Sequence, residues 1–313
     1  MTLLYIDDRF KLHNTGQHPE CALRLTTIEA KLKKSGLLDQ VTQIPVTAVD
    51  DVDVLRVHSA EHIESVRAFA NAGGGRIETD TVMSPESAAV AWLACGAAVD
   101  AVTRVVAGED KSAFCLVRPP GHHALPDSPM GFCLIGNAAV AARTALLRLG
   151  LNRVLIVDWD VHHGNGTQDV FYEDGQVGFF SAHRFPFYPG TGRKSETGRG
   201  AGLGMTFNLP LKFGIRSKEY LSAFEYMLTD AADHLRPELV IISAGFDAHA
   251  DDPVGSLGLE TEDFEPLTKL VQQVAETHAN GRLVSLLEGG YNVDRLADCV
   301  ELHLRTMISS KTP

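Results

Sequence analysis

Short, largely apolar runs punctuate the chain at residues 3–6, 113–117, 154–157, 178–181, 239–243 and 283–287, each rich in Val, Ile, Leu or Phe. A run that is apolar on both faces suits a parallel strand covered by helices on both sides, where neither face meets water. Between these runs apolar residues recur at helical spacing, which predicts helices over residues 85–106, 138–148, 218–234, 262–277 and 293–307. Ser84-Pro85-Glu86 opens the first of them with a capping residue and a proline suited to the first helical position. Strands alternating with helices predict the α/β class: a single doubly wound domain over residues 1–313, its mainly parallel sheet flanked by helices. No repeat, low-complexity tract or shift of composition marks a second domain.

Composition narrows the function classes. With 44% hydrophobic and 22% charged residues, an ordinary soluble core is expected. The net charge of −12 argues against nucleic acid as a partner, since phosphate binding needs clustered Lys and Arg, and mildly favours a cationic substrate. Cys21, Cys95, Cys115, Cys133 and Cys299 are odd in number and contain no C-x-x-C pair. That pattern suits a reducing compartment and encodes no local thiolate zinc site. No run of 18 apolar residues and no leader-like opening occurs, so no membrane association and a cytoplasmic setting are expected.

In open α/β sheets the ligand site lies beyond the carboxyl ends of the strands. After 113–117 comes Arg118-Pro119-Pro120-Gly121-His122-His123, and after 154–157 comes Asp158-Trp159-Asp160-Val161-His162-His163-Gly164-Asn165. After 239–243 comes Ala244-Gly245-Phe246-Asp247, and after 283–287 comes Glu288-Gly289-Gly290-Tyr291. Residues two apart in extended chain share a face, so Asp158, Asp160 and His162 point one way while Val157, Trp159 and Val161 point the other. Asp160 and His162 can therefore grip one metal ion, with Asp247 as third ligand. Two carboxylates and an imidazole suit zinc first, with iron(II) or cobalt(II) compatible, and leave room for water and substrate. The tandem His122-His123 reads as an acid–base pair. Asp158 and Asn165, one charged and one neutral, are the candidates to fix its tautomers and separate its basicities. Tyr291, following two glycines, is placed to donate a hydrogen bond to an oxyanion beside the metal.

Motifs stand in register along nearly the whole chain: His13, Gly16, His18-Pro19-Glu20 and Arg24-Leu25, then RPPGHHA at 118–124 and GFC at 131–133. DWDVHHGNGTQ at 158–168, FYPGTG at 187–192, SAGFDAHADDP at 243–253 and LEGGY at 287–291 follow. With them the chain resembles the zinc-dependent histone deacetylase and acetylpolyamine amidohydrolase superfamily, and looks like its class II branch. The resemblance implies an arginase-like α/β fold and one zinc ion held by Asp160, His162 and Asp247. It implies His123 as general base and then acid, His122 as an electrostatic partner bonded to Asp158, and Tyr291 as stabiliser of the oxyanion. Asn165 stands where the class I branch has an aspartate. Phe132 and Tyr188 match the aromatic walls of a lysine tunnel, the Gly131 carbonyl an acceptor for the substrate amide N–H, and Asp158 with Ser181 a structural potassium site.

Two substrates are compatible with that resemblance: an acylated lysine of a protein or peptide, and an acylated polyamine. Polyamine preference in the superfamily goes with a glutamate seven residues past the third zinc ligand; Val254 stands there, which favours acyl-lysine. Asp251 and Asp252, read as an acidic rim, pull toward the polyamine, and Asp80-Thr81 is expected to touch the substrate backbone. For His18-Pro19-Glu20 a turn role and a substrate contact are both open, and Arg118, His183 and His249 have no assigned role. The rival readings are a two-manganese arginase-type centre and a sensor without turnover. The tandem histidines with Tyr291 argue against the first, and the intact set of ligands and acid–base groups against the second.

Overall fold

The computed structural model describes residues 2–309. Its strands are β1 (Thr2–Tyr5), β2 (Val41–Ile44), β3 (Gly75–Arg76), β4 (Val82–Met83) and β5 (Ser112–Cys115). They continue with β6 (Val154–Asp158), β7 (Val177–Arg184), β8 (Thr206–Leu211), β9 (Leu239–Ala244) and β10 (Leu283–Leu287). Eight of them form a sheet in the order β2-β1-β5-β10-β9-β6-β7-β8, with every neighbouring pair parallel. β3 and β4 make a separate antiparallel ribbon.

All six apolar runs are strands, and each residue of β1, β5, β6, β9 and β10 is buried, as two-sided cover by helices requires. The edge strands β2 and β8 carry no such run. β2 exposes its two central residues, and β8 contains Pro210, which gives no N–H to a ladder and is tolerated at an edge. The order of the sheet matters for the chemistry: β5, β10, β9 and β6 are consecutive neighbours. Four strand ends far apart in sequence are thereby set side by side along one edge.

The predicted helices are found at Ser87–Ala107, Asn137–Leu147, Ser217–Leu235, Phe264–His278 and Val293–Ser309. The first starts later than its proline suggested. Ser84 and Pro85 lie in a preceding turn, and the Ser84 N–H donates to the Ser87 hydroxyl at 2.7 Å rather than Ser84 capping with its side chain. This helix is long and apolar enough to cross a membrane, yet 72% of its most apolar window is buried within the protein. Helices Leu23–Lys34 and Ala60–Asn71 were not among those predicted, although each buries a narrow apolar stripe at helical spacing, such as Leu25, Ile28 and Leu32. The expectation of one domain over 1–313 extends to residues 1 and 310–313, which lie outside the described residues.

Candidate active site

The end of β6 is shaped by its own acidic side chains. The Asp158 carboxylate accepts the Asp160 N–H at 3.0 Å, and Asp160 accepts the His162 N–H at 2.9 Å. The expected alternation survives this turn. Trp159 and Val161 are buried in the core, Trp159 edge-on to His303 at 5.5 Å, while Asp160 and His162 face the site.

The ligand atoms of Asp160, His162 and Asp247 all lie within 4.8 Å of one another, and all three residues are buried. His162 Nδ1 is 3.1 Å from both Asp160 Oδ1 and Asp247 Oδ2. The remaining carboxylate oxygens are oriented by backbone: Gly289 N–H to Asp160 Oδ2 at 2.9 Å, and Val161 N–H to Asp247 Oδ1 at 2.8 Å. A Cβ at position 289 would fall 2.3 Å from Asp247 Oδ2 and 2.5 Å from Asp160 Oδ2, so glycine is what lets the end of β10 pass this close. Burial, reinforced by the Asp160 carboxylate, pushes the Asp247 pKa up to about 7. Burial alone would lower that of His162, but the two carboxylates outweigh it and raise it to about 10. The trio thus carries more negative charge than its burial tolerates, and a divalent cation among the three donors would neutralise it. The donor set fits zinc.

Beside this cluster, His122 Nδ1 is 2.9 Å from Asp158 Oδ2 and His123 Nδ1 is 2.7 Å from Asn165 Oδ1, with the two rings 3.9 Å apart. Burial lowers the basicity of His122, but Asp160 and Asp158 outweigh it and hold its pKa well above the usual value. Burial, followed by the nearby His122 and His162, holds His123 well below it. The two imidazoles are thus pushed in opposite directions, His122 by the carboxylates around it and His123 by burial and its neighbouring histidines. The turn carrying them hangs on Glu288, whose Oε2 accepts the N–H groups of Gly121 at 2.7 Å and His122 at 3.2 Å.

A cavity of about 160 Å³ opens onto the cluster. His123, His162 and Tyr291 line it on the side of the metal ligands, and Phe132, Phe187 and Tyr188 give it aromatic walls. Gly131, Val254 and Asp80 complete the lining. Phe187 stacks on the His162 ring at 5.2 Å, Tyr188 stands edge-on to His123 at 5.3 Å, and Phe132 edge-on to Tyr291 at 5.7 Å. Phe132 adopts φ 70°, a costly conformation for a side chain of this size, and its N–H is tied to Thr81 Oγ1 at 3.1 Å. Burial, then the Asp247 charge, holds the Tyr291 pKa well above 10, so its phenol remains an O–H donor at neutral pH.

Residues 18–307 match the histone deacetylase domain. The chain belongs to the histone deacetylase family. It is 40% identical over 280 residues to a histone deacetylase-like amidohydrolase of Pseudomonas aeruginosa, covering 88% of this chain and 72% of that one. It is 36% identical over 294 residues to a probable deacetylase of Archaeoglobus fulgidus, covering 93% and 81%. Among solved structures it resembles the HD domain of HDA15, with a TM-score of 0.93 at 35% identity over 100% of this chain and 90% of that one. It is accordingly a hydrolase acting on amides, with the α/β deacetylase fold.

Several residues of this deacetylase sit differently from the sequence expectation. Asp252 is buried with its carboxylate spent on backbone N–H groups, so it is not a free rim acid, whereas Asp251 stays exposed at the surface beside Arg295. Thr81 is buried under Phe132 and does not line the cavity; its neighbour Asp80 does. His18 packs edge-on against Phe132 at 4.5 Å and backs that side of the cavity wall. Arg118 is fully buried, bidentate on Glu20, and donates to the carbonyls of Phe10 and His13. His183 is packed between Ser181 Oγ and the Gly192 carbonyl, each at 2.9 Å, and His249 accepts the Asp251 N–H at 3.0 Å. The sequence suggested no role for Glu288 or Phe187, and for Asp252 only that of a rim acid. All three stand in quoted motifs, and Glu288 is also a strand-end carboxylate, which was the available signal.

Proposed function

We propose that this amide hydrolase is a zinc-dependent deacylase of N-acyl-lysine in proteins or peptides, with the chain forming a single catalytic domain. The observation that carries the reading is the aromatic-walled cavity, in which His162, clustered with the buried Asp160 and Asp247, meets both His123 and Tyr291. Zinc bound by those three residues would polarise the amide carbonyl and make water more acidic. His123, neutral and anchored through Nδ1 to Asn165, takes the proton of the attacking water and delivers it to the leaving amine. His122, held cationic by the nearby carboxylates, contributes a fixed positive charge. The Tyr291 phenol donates to the oxyanion. The Gly131 carbonyl accepts the substrate amide N–H, while Phe132, Phe187 and Tyr188 enclose the alkyl chain. Asp158 and Ser181, register partners on β6 and β7, are the residues assigned to a structural potassium.

Val254 in the cavity lining supports acyl-lysine over polyamine, because an apolar side chain offers a distal ammonium nothing to pair with. The burial and engagement of Asp252 remove one of the two acids that favoured the polyamine. Acetylpolyamine hydrolysis is the second reading, favoured by Asp80 in the same lining. A two-metal centre of the arginase type is disfavoured, since His123 and Tyr291, rather than further carboxylates, line the cavity beside His162. Neither nucleic acid nor membrane is assigned as a partner, and five free cysteines support the cytoplasmic expectation. The test is kcat/KM of the zinc-loaded protein on an acetyl-lysine peptide and on N-acetylputrescine. Preference for the peptide is expected; preference for the diamine overturns the substrate assignment.

A further inference from the structure

Two parts of the active site that come from different chain segments hang on one carboxylate. Asp252 Oδ1 accepts the N–H groups of Val254 and Gly255, each at 2.9 Å. Asp252 Oδ2 accepts those of Tyr291 at 2.7 Å and Asn292 at 3.2 Å. The first pair closes the turn that presents Val254 to the cavity. A turn needs no more than that, and the second oxygen is spent on the other segment. There the backbone has no ladder of its own: β10 ends at Leu287, the next helix begins at Val293, and Gly290 stands at φ 125°. Arg24 and the Phe246 N–H hold the carbonyls of Glu288, Gly289 and Gly290, and Asp252 supplies the acceptor for the N–H groups of Tyr291 and Asn292.

Neighbouring contacts make the link stiff. The Asn292 side chain donates to the Asp251 carbonyl at 3.1 Å, and Arg295 pairs with the Asp251 carboxylate at 3.0 Å. From the far side Arg184 donates to the carbonyls of Gly255 and Ser256 at 3.1 and 3.3 Å while lying over the Phe187 ring at 4.1 Å. The segment around Val254 is thus held on its N–H groups by Asp252 and on its carbonyls by Arg184.

We propose that Asp252 is a positioning residue for the reaction: it sets the backbone of Tyr291 so that the phenol meets the oxyanion, and it couples that setting to the Val254 segment. The proposal rests on the oxyanion role assigned to Tyr291 above. A carboxylate can accept on both oxygens, whereas a carboxamide turns an NH2 toward one of the two N–H pairs. Replacing Asp252 by Asn therefore releases either Tyr291 or Val254.

The test is a double-mutant cycle of Asp252→Asn with Tyr291→Phe, reading kcat, KM, bound zinc and the thermal transition of each variant. Asp252→Asn is expected to lower kcat about 10- to 100-fold, with KM for a short acetyl-lysine substrate within about threefold and zinc retained. In the Tyr291→Phe background the same substitution is expected to cost less than about threefold, because the group it positions is already gone. The same factor in both backgrounds overturns the proposal while leaving the role of Tyr291 intact. Near-normal kcat for Tyr291→Phe alone overturns the oxyanion reading and this proposal with it. Should Asp252→Asn not fold, Asp252→Glu, which keeps two acceptor oxygens at a shifted position, enters the same cycle under the same criterion.

Discussion

His123 Nδ1 lies 2.7 Å from the side-chain oxygen of Asn165, so a neutral amide orients the imidazole that lines the cavity. The Asn165 Nδ2 faces Met130 Sδ at 3.4 Å, which leaves the amide oxygen as the acceptor and His123 Nδ1–H as the donor. Nε2 is then the basic nitrogen. Asn165→Leu keeps the volume and removes the acceptor. It should lower kcat about 10- to 100-fold, as loss of an orienting partner does, with KM and bound metal nearly unchanged. Steady-state kinetics with metal analysis decide it; an unaltered kcat would mean the ring is held by packing alone.

Tyr291 carries the larger share of the barrier in this account. Tyr291→Phe keeps the edge-on contact with Phe132 and removes one donor. The expected loss is roughly 2.7–4 kcal/mol of transition-state stabilisation, read as a fall in kcat with KM little changed. A compensating rise in KM with kcat preserved would place the phenol in substrate binding instead.

Substrate choice is argued from Val254, which lines the cavity and carries no charge. Val254→Glu should raise kcat/KM for N-acetylputrescine relative to an acetyl-lysine peptide by about fivefold, the worth of roughly 1 kcal/mol for a partly exposed ion pair. The ratio is measured by competition in one vessel. An unchanged ratio would assign the discrimination to Asp80 on the same wall.

Much of this site was legible because the fold concentrates its chemistry at strand ends. The runs that became β5, β6, β9 and β10 are buried on both faces, so they read as apolar blocks, and the polar residues directly after them had to be functional or paired. What stayed hidden depends on contacts between distant segments. Asp252 looked like a rim acid because sequence does not show that the N–H groups of Tyr291 and Asn292 arrive at its carboxylate. Glu288 looked like one more strand-end residue because its partners, Gly121 and His122, lie across the sheet edge. Edge strands β2 and β8 were missed for the opposite reason: partial exposure dilutes the apolar signal.

Buried histidines away from the site make stability sensitive to acid. His303 is enclosed with Nδ1 2.7 Å from Thr268 Oγ1 and Nε2 2.9 Å from Ser285 Oγ, and burial lowers its pKa to about 3. The unfolded chain takes up a proton near pH 6.5 that the folded one refuses. Stability contributed by this group is therefore full above pH 6.5 and falls as pH drops from 6.5 toward 3. Between pH 7.5 and 5.5 the loss from His303 should be about 1.4 kcal/mol, and His303→Gln should remove that part of the slope. Urea unfolding at the two pH values measures it; equal slopes in both proteins would show that other groups dominate.

The central claim is that Asp160, His162 and Asp247 hold the zinc on which amide hydrolysis depends. It is tested most directly by measuring bound zinc and acetate release on the same preparations of the unaltered protein, its metal-stripped form and Asp247→Asn. The account predicts one zinc per chain and turnover in the unaltered protein. It predicts neither in Asp247→Asn, and turnover that returns to the stripped protein in proportion to zinc added. Turnover by the stripped protein, or full zinc occupancy with normal turnover in Asp247→Asn, would contradict it.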